Sequence, residues 1–224
     1  MTMRVGQATR STREILLGAA PLVFGVFVFG ISFGVLSVAA HFPGWAAVLM
    51  SALVFAASSQ FAAIGVVSTG GGILAAVVAA ALLNLRYIAM GIGLARSLPG
   101  GRFLRVLTGQ LAIDESYALA VGAGEPGRPD LRTFLISGGF LYAGWLVGTL
   151  IGTVVGPVLG DPRRLGLDAA FPSGFVALLW PMLSRKHALR CAVGGAVAAL
   201  ALAPFTPPGV PLAGAALVGL WLAR

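Results

Sequence analysis

Long apolar runs, each closed by a short cluster of glycine, proline or arginine, repeat along the whole 224-residue chain. Eight such segments can be drawn, at roughly 15–40, 45–67, 73–95, 103–123, 133–159, 167–183, 188–203 and 209–223. Phe42-Pro43-Gly44, Gly70-Gly71-Gly72, Pro99-Gly100-Gly101, Glu125-Pro126-Gly127, Asp161-Pro162 and Pro207-Pro208-Gly209 mark the joins, as chain breakers do. Most runs approach the roughly 20 residues that a helix needs to span a bilayer, and none shows the short alternation of barrel strands. The predicted fold is therefore an all-α integral membrane protein. A polar tail, 1–14, precedes a single transmembrane domain, 15–224. The first run is far longer than the roughly 7–15 apolar residues of a signal peptide, so it reads as a retained helix.

Composition strengthens this reading: 58% of residues are hydrophobic, 10% are charged, and the mean hydropathy is +0.96. A soluble domain carries about 25% charged residues, so these charges cannot cover a water-facing surface. The net charge of +8 does not point to nucleic acid, because the arginines lie in clusters between apolar runs, where topology signals belong. Cys191 is the single cysteine, which excludes an internal disulfide, and His41 and His187 show no metal-ligand spacing. Among the glycines, Gly30 and Gly34 are spaced to form a small-residue helix face, as are Gly144 and Gly148, then Gly152 and Gly156.

Charge placement bears on topology. If all eight segments cross from a cytoplasmic N-terminus, the cations outside the membrane divide nine inside to five outside. If segments two and six enter and return on one side, the division becomes twelve to two, with only Arg128 and Arg132 outside. The positive-inside rule favours the second arrangement. Segments 1–3 and 5–7 would then form two inverted three-segment repeats of opposite sense, with segments two and six broken or re-entrant. The separation from Gly30 to Ser58 equals that from Gly144 to Pro172. In transporters built this way, broken helices meet at mid-membrane and hold the substrate.

The candidate chemistry is the small set of polar residues inside apolar runs. An ionisable group there costs about 2.5 kcal/mol or more and marks a functional site by default. Segment two holds Ser58, Ser59 and Gln60; segment three Asn84 and Arg86; segment four Asp114 and Glu115; segment six Asp168, Pro172 and Ser173. The serines either bond back to their own helix or meet a ligand, whereas a buried glutamine amide demands several partners. Arg86 has Asp114 or Glu115 as its natural partner. The two acids point about 100° apart on a helix, so at most one faces a given site. Burial favours a neutral carboxyl group, which makes either acid a candidate proton carrier. Asp168 reads as a helix cap ahead of a break at Pro172 and Ser173. "STGGG" lacks the lysine of a phosphate loop, and "GIGLAR" lacks the third glycine of a dinucleotide fingerprint. No cofactor, metal or enzymatic activity is expected.

In order and spacing, "MSALVFAASSQFAAIG", "LLNLRYIAMG", "IDESYALA" and "LGLDAAFPSGFVALLWPML" resemble the motifs of the AzlC family, over residues 18–183. Alanine replaces a glycine at Ala57 in the first motif, Tyr87 stands where a histidine is frequent, and Ile113 stands where threonine often precedes the acidic pair. The resemblance implies the large subunit of a bacterial inner-membrane exporter of leucine, isoleucine, valine and methionine. It also implies proton coupling and a small hydrophobic AzlD-type partner subunit. A channel or exporter for another small solute, and a membrane scaffold or assembly factor without transport, are the competing readings.

Overall fold

The computed structural model describes residues 10–98, 100–160, 186–206 and 210–223, with positions 166, 169, 176 and 183. Among these there are ten helices and no strand. They are α1 (Thr12–Ala39), α2 (Gly44–Val54), α3 (Ala57–Ser68), α4 (Ile73–Asn84), α5 (Arg86–Leu94), α6 (Arg102–Gly109), α7 (Asp114–Ala123), α8 (Leu131–Leu159), α9 (Lys186–Leu202) and α10 (Val210–Leu222). Asp168, Pro172 and Ser173, with most of the sixth apolar segment, lie outside the described residues.

Among the described residues, only α1 and α8 are single helices long and apolar enough to cross a membrane; α4 and α5, bent by 41°, add a third span if taken together. Both long helices are capped by their sequences. Ser11 and Glu14 form a reciprocal box at α1, with the Glu14 N–H donating to Ser11 Oγ and the Ser11 N–H to Glu14 Oε2. At α8 the Thr133 N–H donates to Asp130 Oδ1 over 2.7 Å.

The distribution of polarity is the reverse of a water-soluble core. Ser32, Ser37, Ser51, Ser58, Ser59, Gln60, Thr133, Ser137 and Thr149 are buried, while Leu17, Phe24, Ile73, Leu74, Val158 and Phe205 face outward. An apolar exterior of this extent fits a lipid solvent and not water.

The helices α1 and α8 share the most extensive interface in the fold. Their glycines touch backbone directly. A Cβ added at Gly30 would lie 2.7 Å from the Trp145 carbonyl oxygen. One at Gly34 would strike the Thr149 carbonyl, and one at Gly152 the Ile31 carbonyl. The expected small-residue faces are thus the contact surface. Val23 meets Gly144, Phe27 meets Gly148, Ile31 meets Gly152 and Val35 meets Gly156, so the two helices advance together at a constant offset. Arg132 Nη2 also donates to Thr12 Oγ1 at the starts of the two helices.

The helices therefore run parallel, which corrects the expectation that segments 1 and 5 run in opposite senses. It also puts Arg132 at the same end as the start of α1, not the other. The physical reason is that four-residue glycine spacing fixes which face packs but not the direction of the partner.

The short helices supply the reversals. The helix α2 descends along α8 with Gly44 beside Thr153 and Ser51 beside Thr149. At Phe55 (φ 34, ψ 58) the backbone turns left-handed and α2 ends. The chain then doubles back, because the Gln60 side chain on α3 reaches Ser51 on α2. Next, α3 and α4 pack through Val66, Ala76 and Ala79. Further on, α5 delivers Leu94 to Ala120 of α7 and Phe134 of α8. The chain turns again between α6 and α7, where Leu111 packs beside Gly138. From there α7 runs antiparallel to α8, with Ser116 near Gly138 and the Asp130 N–H bonded to the Ala120 carbonyl. This second reversal, which the sequence reading did not contain, accounts for the parallel sense of α1 and α8. Finally, α9 and α10 form a hairpin on glycine contacts, Gly195 against Ala215 among them, and α10 reaches α4.

Candidate functional site

Three helix breaks meet beside the middle of α8: between α2 and α3, between α4 and α5, and ahead of α7. Each is held by a side chain from the helix that follows or ends there. At the first, Gln60 Oε1 accepts from the Ala56 N–H (3.2 Å) and Gln60 Nε2 donates to Ser51 Oγ (3.0 Å). Ser51 in turn pairs with Thr149 Oγ1 on α8 (3.0 Å), tying the turn to the long-helix pair. Ser59 Oγ donates to the Ala56 carbonyl. Gln60 is fully buried and its amide is well partnered, as an amide in an apolar surrounding must be.

The carbonyls freed at the end of α2 find donors as well. Gln110 Nε2 donates to Leu53 O (2.7 Å) and Ala52 O (3.3 Å), and Tyr142 Oη donates to Ala52 O (2.9 Å). Ahead of α7, Ser116 Oγ accepts from the Ile113 N–H. Irregular backbone at this depth persists only where protein or a wet cavity satisfies it, and here side chains do so.

The charged centre sits at the second break. Arg86 opens α5, and its Nη1 lies 2.6 Å from Asp114 Oδ2 on the first turn of α7. Its Nη2 donates to Ser58 Oγ on the first turn of α3 over 2.7 Å, and to Tyr87 Oη over 3.4 Å. The guanidinium carbon is 5.2 Å from the Tyr87 ring centroid, a cation–π distance. Both charged side chains keep more than a third of their surface open, 37% for Arg86 and 38% for Asp114, so a solute can reach the pair. Arg86 Nε and Asn84 Oδ1, by contrast, are buried without a partner.

The positions singled out in the sequence thus divide. Ser58, Gln60, Asn84, Arg86 and Asp114 converge on the junction of breaks. Ser59 spends its hydroxyl on its own helix. Glu115 is half-buried on the first turn of α7, but the pairing with Arg86 falls to Asp114. Four contributors went unrecognised: Ser51 and Thr149, whose hydroxyls are 98 positions apart, and Gln110 and Tyr142, whose partners are backbone carbonyls. Tyr87 is a fifth, since the sequence registered it only as a missing histidine.

The chain is a helical membrane protein whose broken helices bring an arginine, a carboxylate, hydroxyls and an amide to one half-open centre. The sequence model of the AzlC family (AzlC protein) matches residues 21–159, and the chain belongs to that family. An uncharacterized membrane protein of Archaeoglobus fulgidus is 33% identical over 209 residues, covering 92% of this chain and 91% of its own length. No solved structure matches. The family assignment carries a membrane-transport-related role.

Proposed function

We propose that this chain is the large subunit of an inner-membrane permease that exports branched-chain amino acids, with a small hydrophobic AzlD-type subunit as partner and protons as the coupling ion. The carrying observation is Arg86, held between Ser58 and Asp114 where three helix breaks meet. A zwitterion needs one cationic and one anionic host. Arg86 supplies the first, helped by the positive end of α3; Asp114, with Glu115 one residue on, supplies the second. The two hosts pair with each other, and an entering amino acid satisfies both.

The folding back at Phe55 and again ahead of Asp114 supports a site formed by two re-entrant elements between the crossing helices. The N-terminus is cytoplasmic in this reading, and the start of α8 lies on the same side.

The test is efflux of radiolabelled leucine from vesicles holding this chain with its small partner, with and without an imposed proton gradient. Gradient-dependent leucine flux that Arg86→Ala abolishes is the expected result. Absence of leucine flux with the partner present would leave a carrier of another solute or a scaffold.

A further inference from the structure

Beside the charged centre lies a half-open cavity of about 220 Å³, bordered by the turn at Phe55, the α4–α5 break and the entry to α7. Its walls are mainly apolar: Val54, Phe55, Tyr87, Leu94, Leu98 and Ala112. Asn84 and Gln110 are the polar groups at its edge, and Gly91 completes the α5 wall. Pockets for drug-sized ligands span roughly 300–1,000 Å³, so this one admits only a small solute. Asn84 lines it, and Asn84 Oδ1 is an acceptor buried with no donor. Two residues on, Arg86 Nε is a donor buried with no acceptor. Orphaned buried polar atoms are rare enough to need a cause, and an α-amino acid presents the complement of both, an ammonium and a carboxylate on one carbon.

We propose that this cavity receives the aliphatic side chain of the transported amino acid, that Gly91 and Ala112 set its size, and that Asn84 takes one hydrogen of the substrate ammonium. The inference rests on the amino-acid export reading and adds what selects among amino acids. An ammonium carries three donors, so Asn84 and Asp114 share it while the carboxylate lies on the exposed part of the Arg86 guanidinium. Gly91 is the informative wall position. A Cβ built there meets nothing within 4 Å, so a larger side chain occupies open space without displacing backbone.

The experiment measures leucine and alanine efflux from vesicles for the wild type, Gly91→Val, Ala112→Leu and Asn84→Asp, with the amount of folded protein in each preparation quantified. One methylene in an apolar pocket is worth roughly 10–200-fold in selectivity. Gly91→Val is therefore expected to lower the leucine-to-alanine flux ratio about tenfold or more while alanine flux persists. Ala112→Leu is expected to do the same from the entry to α7, which guards against a fold defect in either variant. Asn84→Asp keeps an acceptor for the ammonium, so flux is expected to persist with the leucine-to-alanine ratio unchanged. If the wild type exports leucine and both filled variants leave the ratio unchanged, the pocket assignment is overturned and the export reading stands. If the wild type moves neither amino acid, the export reading falls and the pocket assignment with it.

Discussion

Gln60 and Ser51 stand nine positions apart in sequence and 3.0 Å apart through their side chains. That single contact requires the chain to fold back at Phe55, because a continuing helix would separate the two by about 13 Å along its axis. The same amide accepts from the Ala56 N–H, and Ser51 passes the connection to Thr149 on α8. The turn is thus fastened to the long-helix pair by one buried polar chain.

Replacing Gln60 with leucine leaves the Ala56 N–H buried without an acceptor. A stranded buried group costs about 1–3 kcal/mol, and each kcal/mol moves the midpoint of a chain this size by roughly 2–4 °C. Thermal unfolding of the detergent-purified protein should show a fall of that order. An unchanged midpoint would mean that the fold-back does not depend on the amide.

Arg86 and Asp114 should behave as one unit in function. Arg86→Ala and Asp114→Ala are each expected to abolish leucine efflux, with the double variant no worse than either. Because both side chains are about a third exposed, their coupling in stability is expected to be small, about 0.5–1 kcal/mol. Efflux and unfolding measured on all four proteins check both statements. Residual efflux in either single variant that the double variant loses would show that the two residues act separately.

The glycines of α1 differ sharply in their surroundings. An added Cβ at Gly34 strikes α8 backbone, whereas one at Gly25 meets nothing within 4 Å. Gly34→Val is expected to cost about 1–3 kcal/mol or more, as overpacking does, and Gly25→Ala close to nothing. Unfolding midpoints of the two variants test the contrast, and equal effects would contradict the α1–α8 contact.

Parallel α1 and α8 put the starts of both helices on one side of the membrane, with Thr12 bonded to Arg132. In a Cys191→Ser background, Thr12→Cys and Arg132→Cys should react with an impermeant thiol reagent from the same face. Labelling from opposite faces would restore the inverted arrangement.

The sequence disclosed the solvent and the chemistry better than the path. Apolar runs and their punctuation located α1 and α8, because each is one uninterrupted helix. Ser58, Gln60, Asn84, Arg86 and Asp114 were legible because polar groups in oil are costly and few. The break in segment two was expected from its polar cluster, though not its place at Phe55; the break at Leu85 was not expected, since that residue is no chain breaker and yields to tertiary partners that sequence separation conceals. Ser51 and Thr149 were invisible for the same reason: a lone hydroxyl in an apolar run usually bonds its own helix, as Ser37 does to the Phe33 carbonyl. The direction of α8 relative to α1 had no local signature.

The glycine seam between α1 and α8 has a mechanical corollary. Backbones in contact over so many turns, with scarcely any side chain between them, have no slack for sliding or rocking. The pair is a keel. If the chain exports a solute as proposed, passage from one face to the other must then be carried by displacement of the short hinged rods around the keel, pivoting where Phe55, Leu85 and Ile113 already bend the chain.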